Sequence, residues 1–176
     1  MSAVARRYAK ALFELAREGE DFESVGQELS DLAQVFSTDP LARFAADTTL
    51  DRATRQTVAE RVSESLRLPG LLGNFLRVLA QNNRLNELAA IQAGYQRLAD
   101  RALGQIRARL ESAETLSDES RGQLLAIFEQ RTGKRIVAET TTDPALLGGV
   151  LVELQGRVFD GTLRTRLERL RRSLAG

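Results

Sequence analysis

The chain has 176 residues, of which 43% are hydrophobic and 28% charged, and its 25 Lys and Arg nearly balance 24 Asp and Glu. That length holds one large domain or two small ones, and the neutral balance argues against a nucleic-acid backbone as main partner, which calls for a concentrated basic excess. With neither Cys nor His, a disulfide framework, a thiol nucleophile, Cys-ligated zinc and the commonest general base are excluded; no catalytic centre, metal or cofactor is expected.

The opening MSAVARRYAKALFELARE is basic and amphipathic, but Glu14 and Glu18 enter it early. Transit peptides avoid acids, so this stretch reads as the first helix of the fold. Helical periodicity continues to about residue 104, predicting helices over Ala3–Arg17, Phe22–Phe36, Pro40–Ala46, Arg52–Leu66, Leu71–Asn82 and Leu85–Leu103. Gly19 lies past the first, Asp39-Pro40 offers an N-cap with proline at N1, and Pro69-Gly70 interrupts the chain. Six short helices with short loops imply an antiparallel bundle. No uncharged apolar run approaches the ~18–20 residues of a bilayer span, so direct membrane insertion is not expected.

At Gly104 the period changes. In QIRARLES, Ile106, Ala108 and Leu110 alternate with Arg107, Arg109 and Glu111, as in a half-buried strand. Ser117 then caps a helix whose first turn holds Asp118 and Glu119, whose apolar side is Leu124, Leu125 and Phe128, and which Gly133 ends. KRIVAETTT (Lys134–Thr142) and VLVEL (Val150–Leu154) read as strands. A last helix carries Leu163, Leu167, Leu170 and Leu174. The expected fold is mostly α: a six-helix antiparallel bundle over residues 1–105, then a small α+β domain, β-α-β-β-α, over 106–176.

Three stretches invite a chemical reading. RTGKR (Arg131–Arg135) lacks the first glycine of a phosphate-binding loop, since Phe128 stands there, and has Arg135 where a hydroxyl must hold magnesium. It reads as a helix C-cap followed by a strand. In LLGGVLVELQGRVFDGTL (Leu146–Leu163) the glycines do not match the spacing of a dinucleotide loop. Asp143-Pro144 can start one helical turn that Gly148 or Gly149 stops, Gln155-Gly156 can turn the chain between VLVEL and RVF, and Asp160 or Thr162 can cap the last helix. From Arg157 to Arg172 six Arg face only Asp160 and Glu168, a net of +4. This is a solvated face, a contact for an acidic helix or anionic surface, or, as the alternative function, a nucleic-acid-binding adaptor. Against that alternative, residues 1–105 carry 13 basic and 14 acidic groups and 106–176 carry 12 and 10.

The first helix is apolar on too many sides. Val4, Tyr8, Ala11, Leu12 and Leu15 run into Ala5, Ala9, Phe13 and Ala16 over roughly 200°, against the ~100° that a surface helix needs. Leu71, Leu72, Phe75, Leu76, Val78 and Leu79 cover about 160° of the fifth. Either these helices are wedged centrally or, side by side, they leave a groove for an amphipathic helix.

ARRYAKALFELA (Ala5–Ala16), LLGNFLRVLAQNNRLNEL (Leu71–Leu88) and TTDPALLGGVLVELQGRVFDGTLRTRLERL (Thr141–Leu170) together resemble the delta subunit of bacterial F-type ATP synthases, the counterpart of the mitochondrial oligomycin-sensitivity-conferring protein. The resemblance runs through the whole chain in order; its last segment, with the DP, GG and DG pairs and the closing basic helix, is the most distinctive. It implies a non-catalytic stator connector, present as a single copy in a hetero-oligomeric complex at the cytoplasmic face of the bacterial cell membrane. Residues 1–105 would bind N-terminal helical segments of alpha subunits, and 106–176 the b subunits of the peripheral stalk. Carried onto this sequence, the resemblance makes Tyr8, Ala11, Leu12, Leu15, Phe75, Leu76, Val78 and Leu79 the candidate alpha-binding groove.

Overall fold

A computed structural model describes residues 2–19, 21–68, 70–154 and 156–167. The chain divides into two compact units, residues 1–99 and 100–176.

The first unit is helical: α1 (Ala3–Glu18), α2 (Phe22–Val35), α3 (Leu41–Ala46), α4 (Arg52–Ser65), α5 (Gly70–Gln81), a single 3-10 turn (Leu85–Glu87) and α6 (Leu88–Ala102), which runs on into the second unit. Local chemistry sets several limits. The Ser2 hydroxyl accepts the Ala5 N–H at 2.9 Å and caps α1, and Asp51 caps α4 by accepting the Thr54 N–H at 2.7 Å. The Thr54 side chain and backbone hold the Asp51 carboxyl below its ordinary range. The start of α3 differs from expectation: Pro40 occupies the N-cap position itself, and Asp39 pairs with Arg43 at 2.7 Å instead of capping.

Leu12, Leu29, Leu32, Leu72, Leu76, Leu79, Leu88 and Ile91 fill the core of this unit. Ala5, Ala9 and Ala16 give α1 a buried face of small side chains. An aromatic group closes one part of the core: Phe13 meets Phe22 and Tyr95 edge-on, both at 5.6 Å. The Tyr95 hydroxyl donates to the Phe22 carbonyl at 2.7 Å, and burial, reinforced by Asp21, pushes the phenol well above its usual range.

The second unit holds β1 (Gln105–Ser112), α7 (Asp118–Thr132), β2 (Arg135–Thr142), β3 (Val150–Leu154) and β4 (Arg157–Asp160), in sheet order β2-β1-β3-β4. β1 and β2 are parallel from Gln105 opposite Arg135 to Ser112 opposite Thr142; the remaining pairs are antiparallel. Leu125 and Phe128 of α7 pack on Ile106, Ala108, Ile136, Ala138 and Leu154. Residues 163–167 begin the last helix; Leu170, Leu174, Arg169, Arg171 and Arg172, expected to continue it, lie outside the described residues. The expected β-α-β-β-α gains a strand. β4 spans only four residues, and its two apolar ones, Val158 and Phe159, are adjacent, so its sequence shows no alternation.

Candidate functional site

α1 and α5 are neighbours in the first unit. The Ser2 hydroxyl donates to Glu87 Oε2 at 2.9 Å, and the turn holding Glu87 is tied back to α5 by Arg84 N–H donating to the Leu79 carbonyl at 2.9 Å. Midway along, the Tyr8 and Phe75 rings meet edge-on, centroids 6.1 Å apart and 73° between planes. Those two contacts place the start of α1 beside the end of α5, so the helices run antiparallel.

The eight candidate groove residues separate into two sets. Tyr8 and Phe75 are half-buried, Ala11 is exposed, and Leu15 and Val78 keep 54% and 42% of their surface in solvent. Leu12, Leu76 and Leu79 are at most 1% exposed and belong to the core beneath, so they are corrected from surface to interior. On the helical wheel Leu12 adjoins the buried Ala5, Ala9 and Ala16 of α1, and Leu76 and Leu79 share the buried face of α5 with Leu72 and Ala80. Leu71, on the same arc of α5 as Phe75 and Val78, is half-buried and joins the surface set. What remains is an apolar strip on two helices, beside the faces that they bury in the core.

In the second unit the glycine-rich stretch is structural in its local geometry. Gly133 ends α7 in the left-handed conformation, with its N–H donating to the Glu129 carbonyl at 2.8 Å. Asp143 caps the single turn Pro144–Leu146, as its sequence suggests, but Leu147 rather than a glycine takes the left-handed stop at φ 61°. Gly149 (φ +81°) lies under residues 161–162: a Cβ there would stand 2.4 Å from the Gly161 carbonyl oxygen. Two hydrogen bonds hold that overlap, Gly161 N–H to the Val150 carbonyl (3.0 Å) and Leu163 N–H to the Gly148 carbonyl (2.9 Å). The Thr162 hydroxyl then accepts the Thr165 N–H at 3.3 Å, while Asp160 Oδ1 accepts both the N–H and hydroxyl of Thr162. Leu147, Val158, Leu163 and Leu167 also remain exposed.

Comparison with known proteins adds a consistent result. The sequence profile described as ATP synthase delta (OSCP) subunit matches residues 4–174. The chain is similar to ATP synthase subunit delta 1 of Syntrophotalea carbinolica, 39% identical over 96% of this chain and 95% of that one. It is likewise similar to ATP synthase subunit delta of an Anaeromyxobacter species, at 37% over 99% and 98%, and of Sinorhizobium medicae, at 35% over 99% and 93%. In fold it resembles a chain of the Toxoplasma gondii mitochondrial ATP synthase hexamer, with a TM-score of 0.70 and 22% identity over 99% of both chains.

Proposed function

The chain belongs to the ATP synthase delta (OSCP) subunit family, and we propose that it serves there as a non-catalytic stator connector, holding the catalytic head to the peripheral stalk against rotor torque. In this reading the first unit grips an N-terminal helix of an alpha subunit in the α1–α5 groove. The second unit holds the ends of the b subunits, with Leu147, Val158, Leu163 and Leu167 as its exposed apolar contacts. Among the described residues no helix is long and apolar enough to cross a membrane; attachment at the cytoplasmic face of the bacterial membrane would come through the assembled complex.

One observation supports this reading above the rest. Leu15 and Val78 stay open to solvent on either side of the Tyr8–Phe75 contact, on helices whose adjoining faces are buried in the core. Helix-in-groove recognition needs such a strip. The alternative of a nucleic-acid adaptor finds no support in the nearly even charge balance or in the relatives, which are ATP synthase subunits.

The experiment is titration of the full-length protein with a synthetic peptide from the N-terminus of the cognate alpha subunit. Tyr8→Ala and Val78→Asp should each weaken binding by about tenfold, the scale of a truncated interface anchor, with an unchanged circular-dichroism spectrum. The absence of saturable binding to the unmodified protein would reject the groove.

A further inference from the structure

Asp160–Gly161 is the one Asp-Gly or Asn-Gly pair in the chain. Glycine after aspartate leaves no side chain between its own amide nitrogen and the aspartyl carboxyl. In an unrestrained chain that nitrogen attacks Cγ: an N–Cγ bond forms, a carboxyl C–O bond breaks and water leaves, closing a succinimide ring. Water then opens the ring. Cleavage at the main-chain carbonyl of the aspartate leaves the backbone running through the β-carbon, an isoaspartate, with the former main-chain carboxyl free. One water is lost and one regained, so the sum is an isomerisation that needs no other reactant.

Burial does not protect this pair, since Asp160 and Gly161 are both exposed. Hydrogen bonds do. Gly161 N–H donates to the Val150 carbonyl at 3.0 Å, so the lone pair left by its deprotonation would point at β3 and not at Asp160 Cγ. Asp160 Oδ1 accepts the N–H and hydroxyl of Thr162 at 2.9 and 2.8 Å, and Oδ2 accepts the Thr165 hydroxyl at 2.7 Å. Leu163 N–H, donating to the Gly148 carbonyl at 2.9 Å, pins the chain just beyond. Nucleophile and carboxyl are thus held apart in orientation at the surface, and releasing residues 161–163 from 148–150 frees both together.

We propose that Asp160–Gly161 is a latent isoaspartate site, closed by the clasp between residues 148–150 and 161–163 and reacting when that clasp opens. Local opening of this kind is ordinarily reversible, but here the chemistry records it. The β-linkage adds one main-chain atom, about 1.5 Å of chain. Gly149 leaves no room for it, because even a Cβ there would meet the Gly161 carbonyl oxygen and the Thr162 Cα. An isomerised chain therefore cannot restore both clasp hydrogen bonds in register, and it loses the seat of Thr162 at the start of the last helix. The new carboxylate is the group that isoaspartyl carboxyl methyltransferases accept, so an opened second unit would carry a lasting chemical mark.

The test incubates the full chain in heavy-oxygen water at neutral pH, where each passage through the ring takes up one solvent oxygen. Peptide mapping with electron-transfer fragmentation then locates the isoaspartate. In native buffer it should form at residue 160 at least about tenfold more slowly than in guanidinium chloride, because the rate follows the open population. Gly149→Ala should isomerise about tenfold or more faster than Gly156→Ala in native buffer, as the strain on the clasp differs between them. Thr165→Val leaves the clasp backbone intact and removes the hydrogen bond to Oδ2; it should raise the native rate about two- to fivefold. Asp160→Glu, which cannot close the same ring, should abolish the signal. No isoaspartate at residue 160 in guanidinium chloride would remove the site. Equal rates in native buffer and denaturant, or equal rates in Gly149→Ala and Gly156→Ala with Thr165→Val unchanged, would overturn the clasp as its lock.

Discussion

Replacing Gly149 with Ala separates two costs that glycine substitutions usually combine. At φ +81° an alanine pays a left-handed backbone penalty of about 1 kcal/mol. Its Cβ would also meet the Gly161 carbonyl oxygen at 2.4 Å and the Thr162 Cα at 3.0 Å. Reaching ordinary contact moves that backbone by about an ångström, which breaks or stretches the Gly161–Val150 and Leu163–Gly148 hydrogen bonds, at about 1 kcal/mol each. The sum is about 3 kcal/mol, a large share of the stability of a small domain. Gly156 is the matched control: its φ is +78°, yet nothing lies within 4 Å of a built Cβ, so Gly156→Ala should cost only about 1 kcal/mol. Hydrogen exchange followed by mass spectrometry reads the second unit directly. Amides of β1 and β3 should lose protection by roughly 100- to 1000-fold in Gly149→Ala and by no more than about tenfold in Gly156→Ala. Equal losses in the two variants would refute the steric argument and leave backbone conformation as the whole effect.

Two further outcomes concern the core of the first unit. The Tyr95 phenol has a folded pKa raised by burial and by Asp21, so its contribution is fully present below the unfolded value near 10.0 and is lost as pH rises beyond it. Thermal melts should therefore fall on the alkaline side of pH 10 in the unmodified protein. In Tyr95→Phe that alkaline limb should flatten, while stability at pH 7 drops by about 1 kcal/mol with the lost hydrogen bond to Phe22. Ala9→Leu would insert a larger side chain at a position only 1% exposed; chemical denaturation should show a loss of about 1–3 kcal/mol from overpacking.

Several helix limits were legible from local signals, although the Asp39-Pro40 start of α3 was not. Ser117, Gly133 and Asp143 act through their own backbone neighbours, and each stands where its chemistry puts it. The alternation of β1 was equally plain, since one face of that strand is buried. Features decided by distant contacts were not. The left-handed stop falls on Leu147 rather than the following glycines, because Gly148 and Gly149 are taken up by the approach of residues 161–163. Leu12, Leu76 and Leu79 could not be told from Leu15 and Val78 by periodicity, because a helical wheel gives a direction without saying which neighbour occupies it. The sorting needed the position of α5 beside α1, which the Tyr8–Phe75 contact fixes.

α1 buries alanines on one side and offers Tyr8, Ala11 and Leu15 on the other. Under tension, such a helix passes load from its strip to a line of small side chains already fixed in the core of the first unit. On the groove reading proposed above, a pull on the strip enters α1 as shear along the buried line of Ala5, Ala9, Leu12, Phe13 and Ala16. For the connector role proposed above, detaching a partner and deforming the core would then draw on the same resistance, and single-molecule pulling on a bound complex would register them close together in force.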